Sequence, residues 1–246
     1  MIAFLTSSLG GSYRADGKRY PTYLLGLNGL TDQLRKCWKE NSRVLIISAS
    51  PGQFERNDSI LNCLKEAFPM SGLSVDIFNM CDYRDETPAQ RMNDYDVVLL
   101  AGGHVPTQNA YFEKLGLRQL LDNFDGLLIS WSAGSMNCAE VVYALPEMPG
   151  EGIDKNYKRF INGLGITKHM IIPHFQDDKE DVVDGMRVIE EMAYPDSMGR
   201  EFIALNDGSF IVIEDEVETL YGEAYLIKDG AITLICNNNE AIQLKS

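Results

Sequence analysis

The stretch Asp125-Gly126-Leu127-Leu128-Ile129-Ser130-Trp131-Ser132-Ala133-Gly134-Ser135-Met136 admits few folded forms. Its apolar run is too short for a buried helix and lies between Gly126 and Gly134, the pattern of a central strand. Small residues from Ala133 onward then begin a helix, so Ser132 falls at a sharp bend. A small-x-Ser-x-Gly bend lifts the serine hydroxyl off the sheet and aims the first N–H groups of the helix at whatever that hydroxyl attacks. Ser132 is therefore a candidate nucleophile, with an ordinary capping serine as the competing reading. Ser-x-Gly recurs as Ser8-Leu9-Gly10, Ser50-Pro51-Gly52 and Ser197-Met198-Gly199, but only Ser132 has a strand behind it and a helix-competent run ahead. Ser130 stands where the usual Gly-x-Ser-x-Gly has its first glycine.

Around this bend the chain has a β-α-β rhythm. Apolar runs at 2–6, 43–49, 73–78 and 95–101 read as strands, the unbroken ones as parallel strands covered on both faces. Leucines at near-helical spacing predict a helix within 20–39, and further helices are expected over 58–68 and 108–123. The segment 145–165, rich in Pro and Gly, reads as a loop over a cleft or on the surface. A strand at 168–175 is followed by an expected helix over 178–192, with Asp177 and Glu180 as its capping box. Short strands with Asp-Gly turns from 202 onward read as antiparallel hairpins added to a mostly parallel sheet. The expected class is α/β, in one domain over 1–246.

Composition removes several functions. Acids outnumber bases 36 to 22, giving a net charge of -14 that repels phosphate backbones and anionic lipid, so neither nucleic acid nor membrane is an expected partner. Five scattered cysteines, never in Cys-x-x-Cys spacing, read as free thiols of a reducing compartment. The first residues lack a basic leader, so a cytoplasmic location is expected.

A serine nucleophile needs a base, and the chain has 3 histidines. His169 and His174 lie an odd number of positions apart and face opposite ways on one strand, which argues against a shared metal. His174 ends its strand, and in open α/β sheets ligands gather at the carboxyl ends of strands. Gly102-Gly103 follows a buried strand and precedes a helix, so the Gly103 N–H and the Ala133 N–H can serve as oxyanion donors. His104 reads as a turn residue. The glycine pair lacks both Gly-x-Gly-x-x-Gly and the Gly-Lys-Ser/Thr ending of a P-loop, so no nucleotide, cofactor or metal is expected. Cys138, well into the helix, is a weaker alternative nucleophile that reads as core.

With Gly102-Gly103, Trp131-Ser132-Ala133-Gly134 and Ile172-Pro173-His174-Phe175 in this order, the chain resembles the serine-peptidase family of dipeptidase E and cyanophycinase. The likeness is strongest over 97–175. It implies a three-layer α/β/α sandwich related to class I glutamine amidotransferases, with Ser132 as nucleophile, His174 as base, and Gly103 and Ala133 as oxyanion donors. For the acid it implies two alternatives: Glu147, in the loop after the bend, and Asp207, in Leu205-Asn206-Asp207-Gly208. Asp207 is preferred because a carboxylate that orients a histidine belongs on a rigid element. Asp207 also reads as a simple hairpin-turn residue, and Glu147 as an exposed loop acid.

The implied substrate is a small peptide, including aspartyl dipeptides, with Lys155, Lys158 or Arg159 as candidates for holding an aspartyl carboxylate. An esterase using the same pair and a catalytically silent binding module are the rival readings. A homodimer is compatible with the sequence, which does not specify the oligomeric state.

Overall fold

The computed structural model describes residues 1–245. Its main sheet has five parallel strands in the spatial order Ile2–Thr6, Leu127–Trp131, Val97–Leu100, Ser42–Ile47, Val75–Cys81. Three antiparallel strands, Phe210–Glu214, Val217–Tyr221 and Ala241–Gln243, extend it beyond Ile2–Thr6. Helices cover it on both sides. Because side chains alternate along a strand, Val44 and Ile46 join Leu64 and Phe68 of the Phe54–Met70 helix on one face. Leu45 and Ile47 join Tyr111, Phe112 and Leu121 of the Val105–Leu115 and Leu117–Leu121 helices on the other. Double burial is why these strands read as unbroken apolar runs.

A second sheet differs from the expected arrangement. Met170–Ile172 is not a strand of the main sheet. It pairs in parallel with Glu201–Leu205, which continues antiparallel to Ala224–Lys228 and then Ala231–Cys236. Asn206-Asp207-Gly208 is therefore no hairpin turn: the strand before it lies in the second sheet and the strand after it, Phe210–Glu214, in the first.

Other expected elements are also revised. The helix expected over 178–192 is replaced by a short helix, Phe175–Asp178, a hairpin of Val182–Val183 with Met186–Arg187, and a π-helix, Val188–Ala193. Asp184-Gly185 makes the hairpin turn, both residues at positive φ (53° and 80°), as a two-residue type I′ connection requires. The stretch before residue 20 forms a hairpin, Gly10–Ala15 pairing with Lys18–Leu24 around Asp16-Gly17, and the helix expected within 20–39 shortens to Leu30–Cys37. The helix expected over 108–123 breaks at Gly116, which is left-handed at φ 66°. No helix among the described residues is long and apolar enough to cross a membrane.

Candidate active site

The carboxyl ends of Ile2–Thr6, Val97–Leu100 and Leu127–Trp131 open into one cleft of about 490 Å³, the place where open α/β sheets bind ligands. Gly102, Gly103, Ser132, Glu147 and His174 all line it. Ser132 sits between the strand Leu127–Trp131 and the helix Ala133–Asn137 at φ 54°, ψ −124°, a conformation that strains any residue but glycine. Two bonds hold that bend in place. The Ser132 N–H donates to the carbonyls of Thr6 (3.1 Å) and Ser7 (3.0 Å), tying it to the neighbouring strand end. Gly134 has to be glycine, because a Cβ there would run into the Leu100 carbonyl oxygen. The Ser132 hydroxyl makes no hydrogen bond among the described residues, and the N–H groups of Gly103 and Ala133 likewise have no acceptor among them. Gly102 and Gly103 let this turn approach closely: a Cβ at Gly102 would lie 2.7 Å from the Trp131 ring, and one at Gly103 2.7 Å from Ala49 Cβ.

His174 is the residue after Pro173 at the end of Met170–Ile172, in the left-handed conformation (φ 53°, ψ 29°). Its Nδ1 lies 2.7 Å from Asp207 Oδ1. The link between the two sheets thus carries Asp207 to the histidine. Ser7, fully buried at the end of the first strand, joins the parts: its hydroxyl donates to Asp207 Oδ1 (2.8 Å) and accepts from the His174 N–H (2.8 Å). Gln176 adds a bond, accepting from the Asp207 N–H at 2.8 Å. Burial acts to lower the His174 pKa, but the hydrogen bond and charge of Asp207, with Asp178 and Asp177 behind, outweigh it and hold it above the ordinary value. Burial acts to raise Asp207, and the bond and charge of His174, with Ser7 and Gln176, hold it below the carboxylate range. Ser132 and His174 face the same cleft with no hydrogen bond between them, the loose geometry usual before a substrate is bound.

Glu147 reaches the cleft from the segment 145–165 but makes no bond to His174. Solvent still touches it, yet crowding by the cleft walls, followed by repulsion from Asp178 and Glu151, pushes its carboxyl up to about 7. The loop is pinned over the cleft. Glu151 Oε2 accepts from the N–H groups of Glu147 and Met148 (2.9 Å each), its Oε1 lies 2.7 Å from His104 Nε2, and Asp184 accepts from the N–H groups of Gly150 (2.8 Å) and Gly152 (2.9 Å). His104 is thereby engaged with the loop. Cys138 is fully buried, and burial pushes its thiol up to about 12, which removes it as a nucleophile. His169 lies away from the cleft, 3.8 Å from Glu218. Among the described residues no cluster of His, Cys, Asp and Glu has the arrangement of a metal site.

The cations expected to hold a carboxylate are placed elsewhere. Arg159 is paired with Asp196 at 2.8 Å, Lys158 borders a separate groove beside Phe112 and Leu117, and Lys155 is on an exposed loop. The cleft's own cations are Arg19 and Arg56. Sequence reasoning missed these two and Ser7; the available signals were the Asp16-Gly17 turn, which places Arg19 on a hairpin, and the position of Ser7 at the carboxyl end of a strand.

Fold and cleft together are those of the serine-peptidase class built on an α/β sheet. Residues 23–220 match peptidase family S51, and the chain belongs to that family. Two solved structures have the same fold at 15% identity. A peptidase from an acI-B1 actinobacterium superposes with a TM-score of 0.68, over 99% of this chain and 96% of that one. A putative peptidase E protein from Listeria monocytogenes EGD-e superposes with a TM-score of 0.54, over 95% and 97%. No curated protein sequence matches the chain. The protein is a serine-type peptidase with a large, mostly parallel central sheet flanked by helices.

Proposed function

We propose that this peptidase hydrolyses small peptides, aspartyl dipeptides among them, through a relay of Ser132, His174 and Asp207. The observation that carries the relay is the 2.7 Å approach of Asp207 Oδ1 to Nδ1 of His174, which lines the same cleft as the half-buried Ser132. With Nδ1–H donating to the carboxylate, the free Nε2 lone pair is available as the base. It takes the Ser132 proton as Oγ bonds to the carbonyl carbon of the scissile amide. Negative charge then develops on the carbonyl oxygen, where the unused N–H groups of Gly103 and Ala133 can hold it; removing one such donor typically costs ~3 kcal/mol of transition-state stabilisation. The imidazolium returns its proton to the leaving amine, and water, activated by the same nitrogen, releases the acyl group from Ser132. Ser132, bent between strand and helix, acts as a nucleophile elbow, and Asp207 keeps the imidazole in the productive tautomer.

A dipeptide library supplied to the purified protein, with Ser132→Ala alongside, tests this reading. Release of free amino acids by the wild type alone is the expected result. Cleavage only of simple esters would point to the esterase, and failure of the folded wild type to react with a fluorophosphonate probe would remove Ser132 as the nucleophile.

A further inference from the structure

The cleft is electrically divided. The charged groups acting on His174 include Asp207, Asp178 and Asp177, and Glu147, which feels the charge of His174, is also acted on by Asp178 and Glu151. Around Arg19 the pattern reverses. Burial first, then the charge of Arg14 and, more weakly, that of Arg56 hold the Arg19 guanidinium below its ordinary value, and no carboxylate is among the groups acting on it. Neither Arg19 nor Arg56 is ion-paired among the described residues, although acids outnumber bases 36 to 22 in the chain.

Both arginines are held by folded elements. Arg19 is half-buried on the hairpin of Gly10–Ala15 with Lys18–Leu24, where it donates from Nη1 to Ser12 Oγ at 2.7 Å. Ser12 also lines the cleft, and its own hydroxyl proton stays available to an incoming oxygen. Gly11 seats that hairpin on the Phe54–Met70 helix: a Cβ there would lie 2.9 Å from Leu64. Arg56 projects from the first turns of that helix, beside Asn57, which is buried and bonded to Ser48, Ser50 and Asp82 at the end of the sheet. A guanidinium fork matches the two oxygens of a carboxylate, and a second one nearby makes the site selective for an anion over a neutral amide.

We propose that Arg19 and Arg56, with Ser12, form an anion subsite of the Ser132 cleft that takes a carboxylate of the peptide. That carboxylate is either the free C-terminus of a short substrate or the side chain of an acidic residue. The inference rests on the peptidase reading above for its substrate class and on the two unpaired arginines for its place.

Binding to the Ser132→Ala protein, followed by calorimetry, tests the subsite without any need for turnover. The probes are Leu-Leu, Leu-Leu amide, Asp-Leu amide and Leu-Asp amide. Tighter binding of Leu-Leu than of its amide assigns the carboxylate to the C-terminus; tighter binding of either aspartyl amide than of Leu-Leu amide assigns it to a side chain. In either case Arg19→Gln is expected to erase most of a roughly tenfold preference, the size of one lost charge-assisted hydrogen bond, and the exposed Arg56→Gln a smaller part. Arg19→Lys, which keeps the charge without the fork, is expected to retain part of it. Equal affinities, no binding of any carboxylate probe, or a preference untouched by Arg19→Gln in a folded protein would overturn the proposal. So would an equal loss with Arg14→Gln, since Arg14 is on the same hairpin but does not line the cleft. Fluorophosphonate labelling of the wild type reports on Ser132 separately. Labelling without carboxylate preference leaves the nucleophile and removes the subsite, and the converse removes the nucleophile alone.

Discussion

The Ser7 hydroxyl donates to Asp207 Oδ1 at 2.8 Å from a position fully buried beneath the cleft. Ser7 Oγ also accepts from the His174 backbone N–H, and the Ser7 carbonyl accepts from the Ser132 N–H, so one residue touches all three members of the proposed relay. Ser7→Ala leaves the His174 backbone N–H without its acceptor and Asp207 Oδ1 with the imidazole as its remaining donor, at a cost of about 1–3 kcal/mol for a buried unsatisfied group. We expect kcat/KM to fall by roughly ten- to a hundredfold, in line with that energy. Temperature-jump or chemical denaturation run beside the kinetics checks that the protein remains folded. An unchanged kcat/KM would mean that Ser7 merely fills space.

The pH dependence follows from the His174–Asp207 pair. A histidine acts as a base only when neutral, and the pKa of His174 is raised above the ordinary imidazole value of 6.5. Its proton therefore persists to higher pH than in a free imidazole, and kcat/KM should rise with pH through a midpoint above 6.5. Asp207→Asn removes the bond and charge that do most to raise the pKa and leaves burial, which lowers it, opposed by the more weakly acting Asp178 and Asp177. The midpoint should then move to lower pH, while the plateau drops by about 10⁴ because the productive tautomer is no longer held. A profile whose midpoint stays in place in Asp207→Asn would dissociate the two residues.

Glu147 provides the contrasting case. It shares the cleft, and its carboxyl is pushed up to about 7, yet no hydrogen bond links it to His174. Glu147→Gln should keep kcat within about tenfold of the wild type, the range left when a nearby charge rather than a relay member is lost, with the midpoint moving slightly lower as a negative neighbour of the imidazole disappears. A collapse of kcat as deep as that of Asp207→Asn would transfer the acid's role to Glu147.

These distinctions show which features of the chain were legible and which were not. The bend at Ser132 announced itself because a short strand, a small-residue run and Gly134 coincide within a few positions, and all of that information is local. Gly102-Gly103 and His174 were legible for the same reason. The hairpin of Val182–Val183 with Met186–Arg187 was hidden because Val182, Met186 and Ile189 recur at helical spacing, and that periodicity masked Asp184-Gly185, a stronger and shorter-range turn signal. The second sheet was hidden for a different reason: Met170–Ile172 has three residues, and nothing within three residues states which partner a strand will choose. Ser7 becomes significant only through Asp207, 200 positions away, and Arg19 only because its hairpin packs against the helix that brings Arg56 to the same cleft.

Strain at Ser132 yields a prediction that separates stability from chemistry. At φ 54°, ψ −124° the residue occupies backbone space open to glycine and costly, by about 1–3 kcal/mol, to any residue with a Cβ. Ser132→Ala abolishes the nucleophile but keeps the Cβ and hence the strain. Ser132→Gly abolishes it too and releases the strain, against which stands the ~0.5–1 kcal/mol entropic penalty of fixing a glycine. The balance should leave Ser132→Gly more stable than Ser132→Ala by about 1 kcal/mol, a rise in Tm of about 2–4 °C for a chain of this size. Both variants should be equally silent toward the fluorophosphonate probe. Differential scanning calorimetry of the pair decides it: if Ser132→Ala melts at the same temperature or higher, the strain stored in the bend is no larger than the glycine penalty, and the outward aim of the hydroxyl rests chiefly on the bonds to Thr6 and Ser7.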